Sequence, residues 1–238
     1  ISSPGKKIVL HLHGGGFVAG SPATYRDLAA RISKSSGCPV LVPDYRLAPE
    51  NQYPAANRDC LKIYRLLLQN GYSSNDIVIG GDSAGGCLAL MTLLSLREVG
   101  EPLPAAVFLI SPLTDAVHLD GESMKSRADT DPLLSPDIVE ECMESYIGDI
   151  DSAPSILSPI RHPLTGMPPM LIQVGSDEIL LSDSTRLAER AKQAGVDVAI
   201  EVWGHMWHVF QAFGIYMPES RIAVDHIGEF IKKHIQKN

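Results

Sequence analysis

Ser83 lies in the run Gly80-Gly81-Asp82-Ser83-Ala84-Gly85-Gly86, with a glycine two residues to either side. Small residues at those positions let a chain turn sharply out of a strand and into a helix, which displays the side chain at the apex. A serine hydroxyl so displayed is a nucleophile once a base takes its proton during attack. Two candidate bases, His205 and His208, stand close together late in the chain. The base in turn needs an acid that fixes its tautomer and stabilises its charged form. Asp177 is the expected acid, because it comes first after the apolar run ending at Val174; Glu178 and Asp183 are its rivals. The tetrahedral intermediate of acyl transfer carries an oxyanion that needs donors. The N–H of Ala84, directly after the serine, is one, and the loop His13-Gly14-Gly15-Gly16 would supply others.

Each piece has a plainer reading. A glycine-rich turn also serves strand–helix packing, and a histidine between Trp203 and Trp207 is commonly just packed. His205 with His208, or His11 with His13, would suit a metal pair, but no Glu follows to make H-E-x-x-H and no third ligand is evident. No metal is expected. Tyr45, Arg46 and Glu50 read as polar bracing within a loop.

The elements that must position these groups follow from the apolar pattern. Strands are expected over Lys7 to Leu12, Pro39 to Val42, Asp76 to Ile79, Ala105 to Ile110, Met170 to Val174 and Val198 to Trp203. Helices are expected from Ser21-Pro22 to Gly37, Ala55 to Gln69, Ala84 to Val99, Ser182 to Ala194 and Glu219 to His234. Strands alternating with helices imply a mainly parallel sheet with helices on both faces. Chemistry in such sheets gathers at the C-terminal ends of the strands, where Ser83, Asp177 and His208 all fall. Residues 112–168 break the rhythm. They are rich in Pro, Ser and Asp, with a helix capped by Ser135-Pro136, and are expected to form an insertion that helps cover the site.

The 238 residues are expected to form a single domain, 1–238. A net charge of −8 without any basic block argues against nucleic acid or an anionic membrane surface as partner. No apolar run approaches the ~20 residues of a membrane span, and no signal peptide is visible. The four cysteines are scattered, as expected of reduced thiols in a cytoplasmic protein. The chain opens Ile1-Ser2-Ser3 without Met, so the natural start is expected to lie upstream.

Together these segments resemble the hormone-sensitive-lipase-like branch of the α/β-hydrolases, the bacterial esterases marked by H-G-G-G and G-D-S-A-G. His13-Gly14-Gly15-Gly16-Phe17-Val18 matches the first motif and Gly81-Asp82-Ser83-Ala84-Gly85-Gly86 the second. Asp44-Tyr45-Arg46-Leu47-Ala48-Pro49-Glu50 matches the branch's D-Y-R-L-A-P-E segment. Val174-Gly175-Ser176-Asp177-Glu178-Ile179-Leu180 fits its acid segment, and His208-Val209-Phe210 its H-x-F. The likeness runs from about residue 7 to 236, and the order Ser, Asp, His is the one this fold uses.

The resemblance implies an α/β-hydrolase fold with Ser83, Asp177 and His208 as catalytic triad. Gly15, Gly16 and Ala84 would form the oxyanion hole, with Gly14 as a substitute for one of the two glycines. It implies a carboxylesterase preferring short acyl chains, working through an acyl-enzyme on small esters without a cofactor, in a branch where homodimers are frequent. Branch members carry two further strands and a helical cap ahead of the H-G-G-G strand, which this sequence lacks; the sheet is expected to keep about six strands. A lactone or amide hydrolase with the same triad is the alternative. A hydrolase-fold binding protein without turnover is a third reading, since fold alone does not dictate activity.

Overall fold

The structure, a computed structural model, describes residues 6–214 and 216–235. The opening Ile1-Ser2-Ser3 and the far end of the resemblance at 236 lie outside the described residues. In chain order the main elements are β1 (Ile8–Leu12), α1 (Arg26–Ser36), β2 (Val40–Leu41), α2 (Ala55–Gln69), β3 (Ile77–Asp82), α3 (Ala84–Glu98) and β4 (Ala106–Ile110). There follow α4 (Glu122–Ser126), α5 (Pro136–Ile147), β5 (Met170–Gly175), α6 (Leu181–Gln193), β6 (Val198–Trp203) and α7 (Pro218–Ile235).

Among the described residues six strands form one parallel sheet in the order β2-β1-β3-β4-β5-β6. The central strands β1, β3, β4 and β5 are buried along their whole length because both faces are covered, with His11, Asp82 and Gln173 the polar residues among them. Successive side chains point to opposite faces. Leu10, Leu12, Ile77, Ile79, Val107, Leu109 and Ile172 enter the larger core with α2, α3 and α6. Val9, Val78, Phe108, Ile110 and Leu171 meet α1 and α7 on the other face, against Leu28, Ile32, Val224, Ile227 and Ile231. The chain winds outward from β1 to β2, then crosses back past β1 to β3. That reversal leaves a crevice at the C-terminal ends of β1 and β3, the usual ligand position in a sheet of this kind.

Local signals explain most of the boundaries. Gly37 adopts φ 72° and closes α1 in the left-handed cap conformation. Ser135 caps α5 by accepting from the Ile138 N–H, with Pro136 following. The start of α1 departs from the sequence reading. Ser21 and Thr24 bond to each other through backbone and side chain, closing a local turn that competes with helix. The helix therefore begins at Arg26.

Residues 112–168 hold α4 and α5 and are tied to α6 by ionic and hydrogen-bonded contacts. Asp183 accepts from the Thr114 N–H and hydroxyl at 2.8 and 2.7 Å. Asp120 accepts from Arg186 and from Arg161, and Arg161 also reaches buried Asp115 at 2.6 Å. Among the described residues no helix is long and apolar enough to cross a membrane.

Candidate active site

Ser83 occupies the junction of β3 and α3 with φ 52° and ψ −124°, a backbone conformation strained for a residue with a Cβ. Its N–H is held by the Ile110 carbonyl of the adjacent strand at 2.9 Å. The turn is tight enough to exclude side chains at both flanking positions. A Cβ on Gly81 would sit 2.3 Å from the Gly85 carbonyl oxygen, and one on Gly85 would sit 2.0 Å from that of Leu12. The two glycines are thus required by the packing of β1, β3 and α3, and they leave Ser83 partly exposed at the crevice.

His208 follows β6 and is buried, with Nδ1 3.3 Å from Oε1 of Glu178. The expected acid is therefore corrected: Glu178, not Asp177, stands against the imidazole. Glu178 is fully buried, and its second oxygen accepts from the Gly175 N–H and the Ser111 hydroxyl, each at 2.8 Å. Asp177 turns to the surface, where it accepts from Ser176 Oγ at 2.7 Å and lies 3.7 Å from Nδ1 of the exposed His205. The reason is the turn after Gly175. The Asp177 N–H is bound to the Met206 carbonyl, and the chain comes back inward only one residue later. His205 and Asp177 pair with each other, outside the cavity, while His208 and Glu178 pair inside.

Ser111 was not singled out from the sequence. It directly follows β4 with φ 45°, donates to Glu178, and accepts from the Val209 N–H at 3.1 Å. It thereby joins the loop of the acid to the loop of the base. The only sequence signal was a polar residue immediately after a buried strand.

The glycine loop after β1 is braced by a second buried carboxylate. Asp82 Oδ1 accepts from the Gly14 N–H and lies 3.1 Å from His11 Nε2, while Oδ2 accepts from the Tyr25 hydroxyl at 2.6 Å. The Gly14 N–H also lies 2.9 Å from the Tyr25 hydroxyl. Gly14 thus uses its N–H to hold the loop, and the next two residues, Gly15 and Gly16, reach the crevice. Both have positive φ, 112° and 62°, and both line the cavity beside Ala84. Tyr45 donates to the His13 carbonyl at 2.6 Å, and Arg46 is bound to Asp59, the bracing expected of that loop. Tyr25 and His11 could not be assigned from sequence, because their partner lies dozens of residues away.

Ser83, Ala84, Gly15, Gly16 and His208 open onto one cavity of about 470 Å³. Its remaining walls are largely apolar and include Leu113, Leu133, Leu134, Val139, Met143 and Phe213. Burial of His208 disfavours its charged form, but the hydrogen bond to Glu178 and the charges of Glu178, Asp131 and Asp82 outweigh that, and its pKa is raised above 6.5. The arrangement offers a hydroxyl displayed at the start of α3 and an imidazole backed by a carboxylate, both on one cavity.

A family described as alpha/beta hydrolase fold matches residues 9–212. The chain is 38% identical over 226 residues to an acetyl-hydrolase of Streptomyces hygroscopicus, covering 95% of this chain and 75% of that protein. It is 39% identical over 225 residues to an esterase of Acinetobacter venetianus, covering 94% and 74%. The crystal structure of an esterase from the bacterial hormone-sensitive lipase family superposes with a TM-score of 0.94 at 44% identity, covering 98% of this chain and 78% of that one.

Proposed function

Because the chain belongs to the alpha/beta hydrolase fold family, in its hormone-sensitive-lipase-like branch, and is a carboxylic ester hydrolase, we propose that it cleaves short-chain acyl esters through an acyl-enzyme on Ser83. The observation that carries this reading is His208, which faces the same cavity as Ser83 while its far nitrogen meets the buried Glu178. Ser83 Oγ attacks the ester carbonyl as His208 Nε2 takes its proton, and Nδ1–H donates to Glu178 throughout. The oxyanion accepts from the N–H groups of Ala84, Gly15 and Gly16, which are rigidly placed and need no reorganisation. His208 then hands its proton to the leaving alcohol, and a water attacking the acyl-enzyme reverses the sequence to release the acid.

Two features support the substrate class. The apolar walls suit an uncharged acyl group. Space beside the oxyanion loop is short, since a Cβ on Gly16 would lie 2.5 Å from Cys142 Sγ on α5. The segment 112–168 thus covers the acyl side of the site, and the name of the Streptomyces relative suggests acetyl esters within the range.

The test is hydrolysis of p-nitrophenyl acetate through octanoate, with fluorophosphonate labelling of Ser83. Turnover falling with acyl length, and lost together with labelling in Ser83→Ala, is the expected result. Undiminished turnover in Ser83→Ala would overturn the assignment.

A further inference from the structure

The wall that limits the acyl group and the carboxylate that backs the base are held by one residue. Asp131, half-buried at the head of the loop leading to α5, accepts from the N–H groups of Leu133 and Leu134 with Oδ1, at 3.0 and 3.2 Å. Both leucines line the cavity. Its other oxygen accepts from the N–H of Ile179 at 3.2 Å, the residue directly after Glu178. The adjacent Thr130 hydroxyl, 3.1 Å from the Arg127 carbonyl oxygen, also lies 3.4 Å from the carbonyl oxygen of Asp177, directly before Glu178. The wall loop therefore holds the peptide carrying Glu178 through Asp131 on one side, with the Thr130 hydroxyl close to it on the other. Ser123 of α4 also donates to the Ile179 carbonyl, at 2.6 Å, but is not among the residues lining the cavity.

We propose that Asp131 is a positioning residue that couples the Leu133–Leu134 wall to the Glu178–His208 pair, so that acyl-chain contacts at the wall set how well the base is held. The proposal rests on the reading of Ser83, His208 and Glu178 as the catalytic set. Asparagine at 131 has a single acceptor oxygen where aspartate has two, so it can keep the local turn to Leu133 and Leu134 or the bond to Ile179, but not both. It also removes a negative charge. The charged groups acting on His208 are Glu178 after β5, Asp131 in the wall loop and Asp82 at the end of β3; with Asp131 neutral the imidazolium is less favoured.

The experiment compares wild type, Asp131→Asn and Ser123→Ala on p-nitrophenyl acetate, butyrate and hexanoate across pH 5 to 9, with a thermal melt to establish folding. In Asp131→Asn the acid limb of kcat/KM is expected to move down by roughly half a pH unit. The acetate-to-hexanoate ratio of kcat/KM is expected to change by about five-fold or more, the loss of one hydrogen-bonded tether. Ser123→Ala, which loosens the acid loop without touching the wall, is expected to lower kcat equally for all three esters. If wild type acts through Ser83 and folded Asp131→Asn keeps both the acid limb and the ester ratio, the coupling is refuted. If Asp131→Asn does not fold, Thr130→Val, which removes the hydroxyl that braces the wall loop on Arg127 and lies against Asp177, must change the ester ratio by itself or the proposal falls. Full turnover in Ser83→Ala would remove the catalytic reading, and the coupling with it.

Discussion

At the scale of single residues, the site turns on which of two adjacent acids faces the imidazole. Asp177 and Glu178 differ by one methylene and one position, yet one is 38% exposed in its side chain and the other fully buried. Glu178→Gln keeps the shape and removes the charge, and is expected to lower kcat roughly a thousand-fold or more, as amidating the acid of a serine triad does. Asp177→Asn is expected to stay within about three-fold of wild type, because an exposed ion pair contributes little. Steady-state kinetics on one short ester separates the two; the reverse order would return the role to Asp177. The raised pKa of His208 has a signed consequence. The base must be neutral to accept a proton, so activity is lost as pH falls through the raised value, and the acid limb of kcat/KM is expected above pH 6.5. In Glu178→Gln the limb is expected to move down, since the largest interaction favouring the imidazolium is gone.

At the scale of elements, the acyl wall depends on the attachment of residues 112–168 to α6. Asp120 lies between Arg186 and Arg161, whose hydrogen bonds lower its pKa to about 2 against some desolvation. A carboxylate with a depressed folded-state pKa contributes stability above its unfolded value, near 3.8, and loses it as pH falls toward about 2. Asp120 is 47% exposed, so solvent screens much of that contribution. Proteolysis within 112–168 is expected to accelerate between pH 4 and pH 2 in wild type, and Asp120→Asn is expected to show the faster cleavage already at pH 7. Unchanged cleavage in that variant would mean the tether is carried by Asp183 and Thr114 alone.

At the scale of the whole molecule, strain at the nucleophile is sustained by everything packed around it. Ser83 is fixed at φ 52° between a buried strand and a buried helix. Ser83→Gly removes the Cβ that makes this conformation unfavourable. It is expected to gain about 1 kcal/mol in urea unfolding, net of glycine's larger unfolded-state entropy, while abolishing turnover. Equal or lower stability would show that the elbow carries no strain.

The alternation of buried strands with amphipathic helices, the glycines around Ser83 and the caps at Gly37 and Ser135 were readable from the chain because they are local. Each depends on residues a few positions apart and on backbone rules that hold in any context. They were sufficient for six parallel strands and for the elbow, whereas His208 stood above His205 only through the resemblance of His208-Val209-Phe210 to the H-x-F segment. What the chain could not reveal was which neighbour of a turn points inward. Counting from the strand end favours Asp177, but the direction is decided by a bond from its N–H to the carbonyl of Met206, a residue on the loop after β6. Likewise the motif leaves Gly14 as a substitute oxyanion donor, whereas in the fold its N–H is directed to Asp82 and Tyr25. Those are contacts between segments that only the packed sheet brings together, and a one-residue rotation of a loop reverses them without altering any local pattern.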